Sequence, residues 1–188
     1  MASHWLWADY DAGMKESADR AAEGVKSALA KWLGLAVSLG ACLAAGAVGS
    51  AWMDDSSLAW YEQLSRPAWN PPSWVFGPVW SALYVLMAVA AWRVWLKWPR
   101  HGVPVALAAF ATQLVLNAIW TGLFFALRSP AAGLADIVAL WVAIGVTAWL
   151  FRPISQAAAW LMAPYWLWVT YAFSLNLGIY FLNPPRPP

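Results

Sequence analysis

Five apolar runs, at about Leu29 to Trp52, Pro78 to Trp95, Val103 to Leu127, Ala132 to Leu150 and Gln156 to Phe181, leave this chain few folds to choose from. Each is close to the roughly 20 residues that cross a hydrocarbon core about 30 Å thick, and each is bounded by Pro, Gly or charge. The runs are continuous rather than alternating, so membrane strands are excluded and the backbone must satisfy its hydrogen bonds within helices. The expected fold is an all-helical integral membrane protein, a bundle of five transmembrane helices. Composition agrees. Of 188 residues, 62% are hydrophobic and 11% charged, with a mean hydropathy of +0.55, and a soluble domain cannot hide that much apolar surface.

The bundle is expected over residues 29–183, preceded by a polar extension over residues 1–28 and followed by a Pro-rich tail over residues 184–188. The extension mixes Asp9, Asp11, Glu16, Asp19 and Glu23 with Lys15, Arg20 and Lys26, and it lacks the apolar core and cleavage site of a signal peptide. Val25, Ala28, Leu29 and Trp32 share one helical face, so the extension reads either as an interfacial helix or as a disordered tail. Five spans put the termini on opposite sides. The N-terminal side then holds Lys15, Arg20, Lys26, Lys31, Arg93, Lys97, Arg100 and Arg152, against Arg66, Arg128 and Arg186 on the other, which predicts a cytoplasmic N-terminus. The long connection from Met53 to Gly77 faces outward on this reading. Its Trp60, Tyr61, Arg66, Pro67, Trp69, Pro71, Pro72 and Trp74 predict a lid rather than a simple turn.

Seventeen tryptophans exceed what two interfacial belts require. Trp80, Trp92, Trp120, Trp141, Trp149, Trp166 and Trp168 fall inside spans, where each indole N–H needs a partner. Such rings either line a cavity or pack across helices, and a cavity of this kind suits a flat, conjugated, partly apolar ligand. Polar residues within the spans are few. Gln113 and Asn117 lie four apart on one face with Trp120 beside them, Asp136 lies one turn into the fourth run, and Tyr165, Thr170 and Asn176 lie in the fifth. An aspartate in hydrocarbon must face the bundle, carry a proton or reach water near the helix end.

Several classes of chemistry find no support. His4 and His101 are the only histidines and both lie outside the spans, so metal ligation is not expected and a metal-free porphyrin or another pigment fits better than haem. No phosphate-binding or dinucleotide glycine pattern is present. The net charge of +2 carries no basic run that would hold nucleic acid, and the lone Cys42 excludes an intramolecular disulfide.

The stretch Arg66-Pro-Ala-Trp-Asn-Pro-Pro-Ser-Trp-Val-Phe-Gly-Pro-Val-Trp-Ser-Ala-Leu-Tyr84 resembles the hallmark segment of the TspO/MBR family of tryptophan-rich sensory and translocator proteins. Gln113 to Phe125 is similar to the family's third helix, Pro164 to Asn176 to its fifth, and Asp136 matches a position in its fourth; the resemblance spans about Leu33 to Asn183. It implies a ligand such as protoporphyrin IX or another flat aromatic, and no obligatory cofactor. The implied ligand-binding positions are Tyr61, Pro71, Trp80, Asn117, Asp136, Trp168 and Ala172. Trp80 and Trp168 match two tryptophans implicated in light-dependent porphyrin degradation in some bacterial members, so they would be the catalytic residues if that reaction occurs here. The chain departs from the animal members at the end of the fifth run, where Tyr180 is followed by no Lys or Arg until Arg186; sterol binding is therefore not expected, and a bacterial pigment-related role is.

The resemblance also implies a homodimer, for which Ala108 and Thr112 supply a small-residue face. The leading expectation is thus a membrane porphyrin sensor or transporter. The alternatives are porphyrin photodegradation and an interaction subunit of a membrane pigment-protein complex, the latter motivated by the N-terminal extension.

Overall fold

The computed structural model describes residues 3–184, and it is helical throughout, with no strand among the described residues. Residues 185–188 of the expected tail, including Arg186, lie outside them. Helix α1 (Ser3–Ala51) has 49 residues and therefore runs about 74 Å, more than twice a hydrocarbon core. The backbone of the polar extension is thus helical from Ser3 and continuous with the first apolar run.

Within the long connection lies a short helix, α2 (Asp55–Glu62). Asp54 starts it by accepting the Ser57 backbone N–H at 2.7 Å, which satisfies one of the donors that a helix start leaves open. A single 3-10 turn (Ser73–Val75) leads into α3 (Phe76–Trp95). Gly102, at φ 90°, turns the chain into α4 (Val103–Thr121), which continues as a π-helical turn over Gly122–Ala126. Ser129 caps α5 (Pro130–Phe151) from its side chain, and Pro130 takes the first turn, where a missing N–H costs nothing.

Four helical segments among the described residues are long and apolar enough to cross a membrane: Glu23–Ala51, Ser73–Trp95, Val103–Ala126 and Pro130–Phe151. The fifth expected run differs. It is divided into α6 (Gln156–Leu161) and α7 (Ala163–Leu182), with Met162 between them. Pro164 is the physical reason, since its ring cannot donate to the carbonyl four residues back and clashes with it. Tyr165, Trp166, Trp168, Tyr171, Asn176 and Tyr180 also dilute the apolar surface of α7.

The long helices form a closed ring. Helix α1 packs on α3 and α4, α4 on α5, α5 on α7, and α7 and α6 return to α3. One half of this ring is solid. Met87 and Val94 of α3, Val103 and Phe110 of α4, Ile144 and Phe151 of α5, and Met162 and Tyr165 are all buried there, with Phe110 and Phe151 stacked at 6.0 Å. Gly46 permits α1 to close against α3, because a Cβ there would lie 2.7 Å from the Tyr84 ring. The other half, toward the long connection, is hollow.

Candidate functional site

A cavity of about 470 Å³ occupies that half of the bundle, roofed by α2 and the connection around it. Its size falls in the range of small-molecule sites, roughly 300 to 1,000 Å³. Each wall is a consequence of local sequence. Helix α1 contributes Gly46, Gly49 and Ser50 to the wall, the two glycines lying close against Tyr84 and Thr121. Phe76 and Trp80 project from α3, Trp120 from α4, and Trp168 and Ala172 from α7. The π turn adds Phe124 and Phe125, because one extra residue in the turn rotates both rings toward the roof helix.

The rings are organised in pairs. Trp80 lies 5.6 Å from Tyr84 and 6.2 Å edge-on from Tyr165. Phe76 meets Trp168 edge-on at 5.9 Å, and Trp120 stacks on Phe124 at 5.2 Å. Tyr61 of α2 contacts both Phe124 and Phe125. Each such pair contributes roughly 0.5 to 1.5 kcal/mol beyond its buried area, so the rings hold one another in place before any ligand arrives.

A polar layer separates the cavity from the solid half. The Tyr84 hydroxyl donates to Asn117 Oδ1 at 2.8 Å, and Asn117 Nδ2 donates to the Tyr165 hydroxyl at 3.2 Å. Above it, Asn176 accepts from the Trp120 indole at 3.3 Å and donates to the Pro130 carbonyl at 2.8 Å. These bonds tie α3, α4, α5 and α7 together around the cavity. Three side chains near them have buried atoms without a partner: Gln113 at both amide positions, Asp136 at Oδ2 and Trp168 at Nε1.

The roof is pinned to the bundle at several points. Ser65 N–H donates to Asn183 Oδ1 and Asn183 Nδ2 donates to the Ser65 carbonyl, each at 2.9 Å. The Tyr171 hydroxyl donates to the Trp69 carbonyl at 2.7 Å, and within the cover the Tyr61 hydroxyl donates to Asn70 Oδ1 at 3.1 Å. On the other side, Arg128 Nη2 donates to Ser56 Oγ at 2.9 Å. The Asp54 carboxyl at the start of α2 is held below its ordinary range, chiefly by the Ser57 backbone N–H and then by the hydroxyls of Ser56 and Ser57. The long connection is therefore an ordered cover with a short helix inside it.

Of the seven positions implied for ligand binding, Tyr61, Trp80, Asn117, Trp168 and Ala172 line this one cavity, while Pro71 and Asp136 are not among its lining residues. Pro71 lies in the cover, where its carbonyl accepts from Asn70 Nδ2 at 3.2 Å. Asp136 is buried at 8% exposure, and the residue after it, Ile137, faces the cavity instead. Phe76, Tyr84, Trp120, Phe124 and Phe125 are further aromatic residues of the lining. Of these, Trp120 was legible from its spacing of three from Asn117, whereas the π turn that delivers Phe124 and Phe125 has no sequence signal.

The remaining span tryptophans serve other ends. Trp92 donates to the Lys31 carbonyl at 2.9 Å. Trp166 donates to the Trp141 carbonyl at 3.1 Å, and Trp141 returns a bond through Thr170 Oγ1 at 2.9 Å. Trp149 is 71% exposed and faces outward. Only Trp80, Trp120 and Trp168 of the seven turn to the cavity.

No group of three or more His, Cys, Asp or Glu residues that could hold a metal exists among the described residues. The cavity lining contains no His, Cys, Asp, Glu, Lys or Arg either.

Residues 38–182 match the model of the TspO/MBR family. The chain is 42% identical over 153 residues to the tryptophan-rich protein TspO of Chlorobaculum tepidum, an overlap covering 81% of this chain and 97% of the relative. It is 38% identical over 154 residues to protein CrtK of Rhodobacter capsulatus, covering 81% and 94%. The human translocator protein is 35% identical over 135 residues, covering 71% and 80%. With its apolar helices, roofed cavity and a match running through all of them, the chain is a multi-pass membrane protein and belongs to the TspO/MBR family.

Proposed function

We propose that this protein is a membrane sensor or carrier of tetrapyrroles, taking a porphyrin such as protoporphyrin IX into the roofed cavity and so influencing pigment or porphyrin metabolism. The observation that carries this reading is a single 470 Å³ space walled by Trp80, Trp120 and Trp168 beneath an ordered cover. Flat conjugated ligands gain most from such walls, because ring contacts add to simple burial. The name tryptophan-rich sensory protein, borne by a relative from Cereibacter sphaeroides that is 38% identical over 156 residues, favours a sensing role.

On this reading α7 also crosses the bilayer. Its 20 residues rise about 30 Å, and it packs on α5 and α3 as one wall of the ring, which makes five crossings with the N-terminus in the cytoplasm. The exposed face of α4 carrying Ala108 and Thr112 would then be the surface by which two copies associate.

The test is a titration of purified protein with protoporphyrin IX, following tryptophan quenching in the intact chain and in a Trp80→Phe, Trp168→Phe double variant. Saturable quenching that weakens in the variant is expected. Linear quenching in both would sink the proposal.

A second reading rests on α1, whose helical backbone extends from Ser3, well before the family match begins at residue 38. That extension would dock the protein on another membrane complex, and gentle solubilisation should then recover a stoichiometric partner. Photodegradation through Trp80 and Trp168 is a separate outcome of the same titration under light: bleaching that persists unchanged in the double variant argues against it.

A further inference from the structure

The cavity wall carries no ionised side chain. Its lining is aromatic, aliphatic, Gly, Ser, Thr and Asn, so an ionised group on a ligand would find no countercharge inside and is strongly disfavoured there. A ligand with an acidic substituent must therefore leave that substituent at the rim.

One cation stands a single ring away from the space. The guanidinium carbon of Arg66 lies 5.4 Å from the centroid of the Tyr61 ring, and Tyr61 lines the cavity. The backbone on either side of Arg66 is anchored. Ser65 exchanges two hydrogen bonds with Asn183, and Pro67 is buried against Gly178, its Cγ 3.1 Å from where a Cβ on that glycine would lie. The Tyr61 platform is itself fixed by its bond to Asn70 and its contact with Phe125. Yet the Arg66 side chain is exposed and has no acidic partner among the described residues. Arg128, the other arginine near the cover, is already engaged with Ser56 and acts on Asp54.

An anchored backbone, a stacked guanidinium and five unclaimed N–H donors make a fork ready for a planar acid. We propose that Arg66 is the residue by which this cavity selects acids: ligands whose flat apolar body enters among the rings while a carboxylate at its edge pairs with Arg66 at the rim. The proposal rests on the reading of the cavity as a porphyrin site and adds the residue by which it discriminates the free acid from an uncharged ring of the same shape.

The experiment compares protoporphyrin IX, which carries two carboxylates, with its dimethyl ester, which has the same ring and no charge. Both are titrated by tryptophan quenching into the full chain in nanodiscs of neutral lipid, as wild type, Arg66→Gln and Arg66→Lys. The wild type should prefer the diacid by about fivefold, the scale of an exposed ion pair, and the preference should shrink as salt rises. In Arg66→Gln the diacid alone should weaken until the two ligands bind equally, with Arg66→Lys in between because it keeps the charge and loses the fork. An unchanged diacid preference in Arg66→Gln, or a wild-type preference indifferent to salt, overturns the proposal while leaving the cavity reading intact. If neither ligand saturates the wild type, the cavity reading fails first and this one falls with it.

Discussion

The hydroxyl of Tyr84 donates to Asn117 Oδ1 at 2.8 Å, joining α3 to α4 at the depth where the cavity gives way to the solid half of the bundle. Asn117 is 5% exposed and passes the connection on to Tyr165, which is fully buried. In Tyr84→Phe the asparagine oxygen loses its donor in an apolar setting, at a cost of about 1 to 3 kcal/mol. The unfolding midpoint in detergent should fall accordingly. An unshifted midpoint would mean that water from the cavity replaces the phenol.

Gln113 poses the opposite case. One turn below Asn117, it is fully buried and neither of its amide atoms has a partner. Gln113→Leu removes the unsatisfied groups while keeping similar volume, so it should raise stability by about 1 to 3 kcal/mol. Thermal unfolding decides the sign, and a loss of stability would reveal a bound water at this position.

Asn183 holds the cover to the end of α7 through its two bonds with Ser65. Both vanish in Asn183→Ala, which should shift the opening of residues 64–70 by about tenfold if each bond contributes about 0.7 kcal/mol. Hydrogen exchange of those amides reports the opening directly. Faster dissociation of bound porphyrin is expected alongside it, and unchanged exchange would show that the Tyr171 bond to Trp69 suffices.

The cap of α2 carries a pH dependence whose sign follows from Asp54. Its carboxyl is held below the ordinary aspartate value, chiefly by the Ser57 backbone N–H, so the cap contributes fully above that ordinary value and is lost as pH falls through the lower, folded one. Following the Ser57 amide by NMR, the hydrogen-bonded shift should persist through the pH at which an ordinary aspartate titrates and collapse only below it. Asp54→Asn, which caps without titrating, should show no such step.

Much of the cavity lining is legible in the sequence. Asn117 and Trp120 share a face of α4 by spacing alone, and both reach the cavity. Trp80, Trp168 and Ala172 were placed by resemblance, and they line the same space. Asp136 and Pro71 came the same way and do not, because the neighbouring Ile137 turns to the cavity and Pro71 stays in the cover. The role of Tyr84 as the junction of two helices was invisible, since it depends on the register between α3 and α4. Pro164 stands in the last apolar run, but hydropathy is blind to its effect on the backbone, and the break at Met162 appears only in the structure.

What the sequence determined by itself is the solvent and the class of structure: long uninterrupted apolar runs admit only helices in a bilayer, because no other backbone satisfies its polar groups there. It also determined the aromatic character of whatever space those helices enclose. Only the tertiary structure decided where that space lies and which rings face it. Three of the seven span tryptophans turn inward while others bond to neighbouring helices or face outward, and helical periodicity cannot distinguish these when every face is apolar. The solid half of the bundle closes through buried side chains such as Met87, Phe110, Ile144 and Phe151, whereas the rings of the other half stand around an open space, and only the register of the packed helices decides which is which.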